Sequence, residues 1–386
     1  MLLQKIKSLL INIVLVVFSL GVALGIMELV LPYLKVFSIE EAVYQVKRPV
    51  VQYLYGAFHP ELHYTLDKNL QNVRLYYPGK LDYTVETNSA GFRGGEWDLS
   101  PGRRNIVVLG DSFAFGWGVQ FEESVGKRLE GALQKIDPRF QVINLAQSGY
   151  SVKEIVRSFE IFKAMLKPEA VVYIFCPNDT ESMTSEDAQG DYTIEYQPPP
   201  GEAEAFATMR ERNQPGYWTW EKFRKGSYLH AFYARFVRPV ISKRIRASLH
   251  IDSPPQGYDF PPPMTERPTP PDLPEARFLT YCLKRLAQQV DGTLYLLPTS
   301  DKSILYRKDD ERNLRWVLAN FSKMNHKAHF LDFESSVRLI PDGKKYYFLF
   351  DDHWSAAGHE FAAQMLFGEM RKELAGRQEE SQRQEL

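Results

Sequence analysis

Ile106-Val107-Val108-Leu109-Gly110-Asp111-Ser112-Phe113 is a short apolar run that stops at a glycine and then presents a serine. An apolar run of this length bounded by a turn residue reads as a strand buried on both faces. The pattern repeats on either side of a long interruption. Strands are expected at 106–109, 141–145, 170–175, 293–297 and 329–333. Helices are expected at 122–135, 152–166, 275–290, 309–324 and 355–374. Strands alternating with helical segments predict a parallel sheet covered on both faces, an α/β fold of the flavodoxin-like, three-layer α/β/α kind.

In such a sheet, ligands meet the carboxyl ends of the strands. Ser112 follows the first strand there, Ala146-Gln147-Ser148-Gly149-Tyr150 the second, and Cys176-Pro177-Asn178-Asp179 the third. Far along the chain stands Asp351-Asp352-His353-Trp354. A serine hydroxyl becomes a nucleophile when a histidine takes its proton and a carboxylate fixes the histidine's tautomer. The Ser112 N–H, the Gly149 N–H and the Asn178 amide are together the donors of an expected oxyanion hole. In an extended stretch, residues two apart share a face, which favours Asp351 over Asp352 as the acid. A Ser112–His353 dyad without an acid is the other option. Taken alone, Gly-Asp-Ser equally describes a helix cap.

These blocks resemble the SGNH or GDSL hydrolases. Gly110-Asp111-Ser112, Gly149, Asn178-Asp179 and His353 match that family's four motifs in order, over about 97–180 and 275–370. The resemblance implies Ser112 as nucleophile, His353 as base, and Gly149 and Asn178 in the oxyanion hole. There are two departures. Cys176-Pro177 stands where the family has Gly-x, and Phe350 stands where it places the acid. Asp351 instead makes Asp-x-His-Trp, which looks like the branch that includes polysaccharide O-acetylation enzymes.

Around this core, 1–37 reads as a cytoplasmic stub and transmembrane anchor, 38–96 as a lead-in with short strands, and 181–274 as a proline-rich insertion or lid. The segments 97–180 and 275–374 form the catalytic domain, and 375–386 a disordered tail. Leu9 to Met27 holds no charge, and past Glu28 apolar residues continue to 33, enough for a membrane helix. A cleaved signal is the competing reading. Lys5 and Lys7 precede the segment and Glu40 and Glu41 follow it, so the N-terminus is expected in the cytoplasm and the remainder outside. Gly21 and Gly25 make a small-xxx-small pair that could join two anchors. Within the insertion, Tyr228 to Leu249 reads as a helix with Arg235, Arg238, Lys243, Arg244 and Arg246, a basic face suited to anionic lipid.

Composition narrows the function class. A net charge of -1 leaves no basic excess for nucleic acid. Cys176 and Cys282 are too few for a disulfide framework and read as buried residues. His59 and His63 would make a metal pair only on a helix, which Pro60 disfavours, and a Ser-His-Asp triad needs no cofactor. Phe113, Phe115 and Trp117 line either a pocket or the core, and His359 reads as structural. The expected function is an extracytoplasmic serine esterase or O-acyltransferase acting on acylated, chiefly acetylated, envelope or exopolysaccharide glycan. The alternatives are a lipid-directed lipase or thioesterase, and a non-catalytic glycan-binding assembly protein.

Overall fold

The computed structural model describes residues 2–34, 51–77, 80–181, 183–196, 198–213, 272–299, 314–340, 342–349 and 351–384. The chain divides into two units, 1–50 with 214–260, and 51–213 with 261–386. Of the first, only helix α1 (Leu2–Leu34) is described. Its Ile11–Glu28 stretch is long and apolar enough to cross a membrane, a make-up that signal sequences share. The expected basic helix Tyr228–Leu249 lies outside the described residues.

The second unit opens with helix α2 (Val51–Tyr55) and two antiparallel hairpins, β1 (Gly56–His59) with β2 (His63–Leu66), and β3 (Val73–Tyr77) with β4 (Leu81–Val85). The core then alternates as the apolar pattern dictates. β5 (Arg104–Gly110) leads to a four-residue helix α3 (Ser112–Phe115) and then α4 (Val125–Leu133). β6 (Phe140–Asn144), α5 (Val152–Leu166) and β7 (Ala170–Phe175) follow. The insertion begins with α6 (Ser185–Gln189) and α7 (Glu202–Asn213). The core resumes with α8 (Pro274–Gln289), β8 (Thr293–Pro298), α9 (Arg315–Met324), β9 (Ala328–Phe330), α10 (Phe333–Arg338) and α11 (Ala356–Gln384).

The sheet is five-stranded and parallel, in the order β6-β5-β7-β8-β9. Every residue of β7 and β8 is buried, as a strand covered on both faces requires. α4 packs with α11, while α5 and α9 each pack on α8, giving the flavodoxin-like three-layer arrangement. The strand order reverses between β5 and β7, where Gly110 pairs in register with Ile174. The crevice at that switch point is where an open α/β sheet binds its ligand.

Four details depart from the sequence reading. The helix expected at 122–135 starts at Val125, because the Ser124 hydroxyl accepts the Lys127 N–H and caps it, leaving Phe121–Glu123 as a 3-10 turn. The strand expected at 329–333 ends at Phe330, because the Asp332 carboxylate accepts the Ser335 N–H at 3.0 Å and starts α10. The tail expected to be disordered from 375 is helical to Gln384, consistent with its Glu, Gln and Arg content and its lack of proline. Finally, the start of the insertion is folded onto its neighbours. Arg210 on α7 pairs with Asp67 at 2.8 Å, and Lys153 on α5 pairs with the fully buried Asp187 on α6 at 2.7 Å.

Candidate active site

Gly110 ends β5 with φ +149, and a Cβ there would lie 2.6 Å from the Ile174 carbonyl oxygen and 2.7 Å from the Ala114 Cβ. Only glycine can make this turn. Asp111 then caps α3, its Oδ1 accepting the Phe113 N–H at 3.0 Å. Ser112 is thus the first residue of the helix, at the end of a strand in the switch-point crevice. Its N–H, like every first helical N–H, has no acceptor within the helix.

His353 arrives from the far end of the sequence. Its segment folds back on itself through a bridge between Tyr347 and Trp354, with the Phe348 N–H donating to the His353 carbonyl at 3.0 Å. Trp354 is fully buried against Phe113, Phe333 and His359 and anchors the turn. His353 Nε2 lies 2.7 Å from Ser112 Oγ. Its Nδ1 is hydrogen-bonded to Asp351 Oδ1, which also accepts the His353 backbone N–H at 3.0 Å. With Asp351 ionised, Nδ1 carries the proton and the Nε2 lone pair faces the serine hydroxyl. Asp351 is buried and Asp352 exposed, as their alternating directions predict.

The aromatic residues after Ser112 are core residues. Phe113, Phe115 and Trp117 are buried, and the Phe113 and Trp117 rings lie 4.9 and 4.4 Å from the His353 ring. Both rings pack against the imidazole at tilts of 31° and 32°. His359 is structural too. It is buried in α11, and its Nδ1 accepts the Val125 N–H at 3.3 Å, tying α11 to the start of α4.

Burial depresses the His359 pKa to about 3. The unfolded histidine takes a proton below about pH 6.5, while the folded one stays neutral. Stability therefore falls as pH drops through that value, by about 2 kcal/mol between pH 7 and pH 5. His359→Asn, which keeps an acceptor for Val125 but does not titrate, should remove that slope in urea unfolding measured at the two pH values.

The remaining donors lie at the same sheet edge. Asn178 is exposed in the 3-10 turn Pro177–Thr180 after β7, and its amide donates to Asp111 Oδ2 at 3.2 Å. Ser112 Oγ lies 3.3 Å from that same oxygen. The Asp111 contact holds one Asn178 N–H. Burial raises the Asp111 carboxyl above the usual range. The unusual Cys176-Pro177 turn is held by Asp179, whose Oδ2 accepts the Cys176 N–H at 3.1 Å and the Tyr173 hydroxyl at 2.8 Å. Burial, reinforced by the charge of Asp111, pushes Asp179 well above the usual range. Gly149, with φ +96, is exposed in the loop after β6. The Asn144 amide at the end of that strand donates to the Ala114 carbonyl of α3 at 3.0 Å, joining the two loops. Cys176 and Cys282 are both buried, and neither is in a disulfide. His59 and His63 face each other across the first hairpin rather than along a helix.

Sequence reading missed Arg93. It is buried, and its guanidinium donates to the carbonyls of Phe115 (3.0 Å), Gly116 (2.6 Å), Val119 (2.8 Å) and Thr84 (3.0 Å). Three of these follow Ser112 directly, so Arg93 closes the C-terminal end of the serine's helix and holds the loop carrying Trp117. Residues of the lead-in also hold the Gly149 loop. The Tyr64 hydroxyl donates to the Ser148 carbonyl, the Tyr150 hydroxyl to the Tyr64 carbonyl at 2.6 Å, and the Gln147 amide to the Gly91 carbonyl at 2.8 Å.

No family model matches this sequence, and no curated protein matches it. Solved structures do. A lipase/acylhydrolase from Enterococcus faecalis is 13% identical, covering 70% of this chain and 96% of its own, with a TM-score of 0.36. A member of the lipolytic G-D-S-L family from Veillonella parvula is 12% identical, covering 68% and 95%, with a TM-score of 0.37. A carbohydrate acetylesterase family member from Sinorhizobium meliloti is 12% identical, covering 70% and 99%, with a TM-score of 0.34. At these identities and scores they are likenesses to lipases and carbohydrate esterases and assign no activity.

Proposed function

We propose that the protein is a membrane-anchored serine esterase or O-acyltransferase acting on acylated glycan. The observation that carries the reading is the 2.7 Å approach of His353 Nε2 to Ser112 Oγ with the buried Asp351 behind the imidazole. Ser112 attacks the acyl carbon as His353 takes its proton, and Asp351 supports the imidazolium that forms. The Ser112 and Gly149 N–H groups and the second Asn178 amide hydrogen stabilise the oxyanion. His353 then protonates the departing alcohol, and the acyl-enzyme passes to water or to another hydroxyl. None of these steps uses a cofactor.

The glycan substrate and acetyl group rest on the Asp351-x-His353-Trp354 motif, which resembles the polysaccharide acetylation branch. The extracytoplasmic location rests on the α1 span and the lysines before it. The full-length chain in detergent should react with a fluorophosphonate probe at Ser112, read by peptide mass spectrometry, and His353→Ala should abolish the label. A folded protein that takes no label would favour a glycan-binding role without catalysis. Product analysis with and without glycan acceptor then separates hydrolysis from transfer, since free acetate alone in both cases rules transfer out.

A further inference from the structure

We propose that the start of the insertion positions the Gly149 oxyanion donor. Glu202 and Phe206 on α7 hold Tyr64 of the lead-in, and Tyr64 fixes the Ser148–Gly149 peptide. This deepens the reading of Ser112 as an esterase nucleophile, with Gly149 as a donor, and rests on it. The Tyr64 hydroxyl donates to the Ser148 carbonyl. That carbonyl and the Gly149 N–H belong to one peptide unit, and in a planar trans peptide the two point in opposite directions. Fixing the carbonyl therefore fixes where the N–H aims, away from Tyr64. Tyr150 draws the same segments together, its hydroxyl donating to the Tyr64 carbonyl at 2.6 Å and its ring standing edge-on to the Tyr64 ring at 5.3 Å.

A strained turn delivers Tyr64. Its N–H donates to the Leu62 carbonyl at 2.7 Å across His63, whose φ is +65. A γ-turn of this positive-φ kind is rare for a residue with a side chain, and it persists only where surrounding contacts over-determine it. The insertion supplies those contacts. Glu202 Oε1 lies 3.3 Å from His63 Nε2, and the rings of Tyr196 and Phe206 lie 5.3 and 5.2 Å from the imidazole. Phe206 also stacks on the buried Tyr64 ring, with centroids 6.0 Å apart and an interplanar angle of 29°. Arg210, one turn further along α7, pairs with Asp67 just past β2. The insertion thus grips both His63 and Tyr64, the residues that aim a hydroxyl at the Gly149 peptide. A cover over the site would need neither contact.

The test measures p-nitrophenyl acetate hydrolysis by full-length protein in detergent. Removing an oxyanion donor outright costs about 10²–10³-fold in kcat, and a loosened donor loses less. Tyr64→Phe keeps the ring and drops the hydroxyl. It should lower kcat about tenfold with KM within about twofold, because the oxyanion exists only after attack. Phe206→Ala should lower kcat about three- to tenfold, and Phe206→Tyr, which keeps a ring, should restore most of that loss. The double variant of Tyr64→Phe and Phe206→Ala should be no slower than Tyr64→Phe alone, since Phe206 acts through that hydroxyl. Losses that multiply in the double variant would overturn the proposal. So would an unchanged kcat in either single variant, or a loss confined to KM. Should Phe206→Ala fail to fold by circular dichroism, Glu202→Ala takes its place in the same cycle. If the wild type hydrolyses no ester and Ser112 takes no fluorophosphonate, the esterase reading itself has failed and the positioning role falls with it.

Discussion

His353→Ala is expected to lower kcat/KM for p-nitrophenyl acetate by about 10⁴-fold or more, with the fold intact. The alanine leaves the Ser112 hydroxyl without the Nε2 acceptor 2.7 Å away, and a neutral hydroxyl is a weak nucleophile. Ser112→Ala should cost about as much, and the double variant little more, because residues that act as one unit lose their effect together. Asp351→Asn should cost about 10²–10⁴-fold, since an amide offering its N–H to Nδ1 favours the wrong tautomer. Asp352→Asn, at an exposed position, should stay within about threefold. A larger loss in Asp352→Asn than in Asp351→Asn would transfer the acid's role to Asp352. Near-equal small losses in both would leave a Ser112–His353 dyad.

Arg93→Met is expected to destabilise the protein by about 3–5 kcal/mol, a large part of the 5–15 kcal/mol that holds a typical domain together. The argument turns on what is left behind. Four carbonyls lose their donor, those of Phe115, Gly116 and Val119 in buried contacts and that of Thr84 in a part-buried one, and each orphaned buried group costs about 1–3 kcal/mol. The sum is reduced because an awkward charge leaves with the side chain. Burial already lowers the Arg93 pKa to about 10, and its Nε has no hydrogen-bond partner among the described residues. Rings of Tyr83 and Phe115 lie 5.5 and 5.0 Å from the guanidinium carbon and supply part of its solvation. Arg93→Lys keeps the charge but loses the fork and should fall between wild type and Arg93→Met. Urea unfolding measures both, and fluorophosphonate labelling of the folded fraction reports whether the serine loop stays in place. A change under about 0.5 kcal/mol in Arg93→Met would mean that the carbonyls find other partners.

The legible parts of the sequence were those set by local pattern. The runs 106–109, 170–175 and 293–297 are continuous and apolar because a parallel sheet is covered on both faces, and each became a strand within two residues of its expected ends. Helix 152–166 matched its expected bounds, with Ser151 and Glu154 forming a capping box at its start. Ser112, Gly149 and Asn178 were legible as candidates because each follows a strand at the same sheet edge. Asp351 separated from Asp352 by the two-residue period of extended chain. Misreadings occurred where one side-chain hydrogen bond overrode the apolar pattern, as at Ser124 and Asp332.

Arg93 was not legible, for a physical reason. Arg93 sits in a turn whose own residues give no sign of what its guanidinium will meet 22 to 26 positions later, and Tyr64 reaches the Ser148 carbonyl 84 positions away. The amino-acid sequence by itself determined the alternation of strands and helices and the residues capable of acyl chemistry, because both depend on neighbours within a few positions. Only the tertiary structure decided that His353 meets Ser112, that the Phe113 and Trp117 rings pack against the imidazole, and that the lead-in holds the Gly149 loop. Those contacts join segments brought together by burial of the whole core, and no local pattern encodes them.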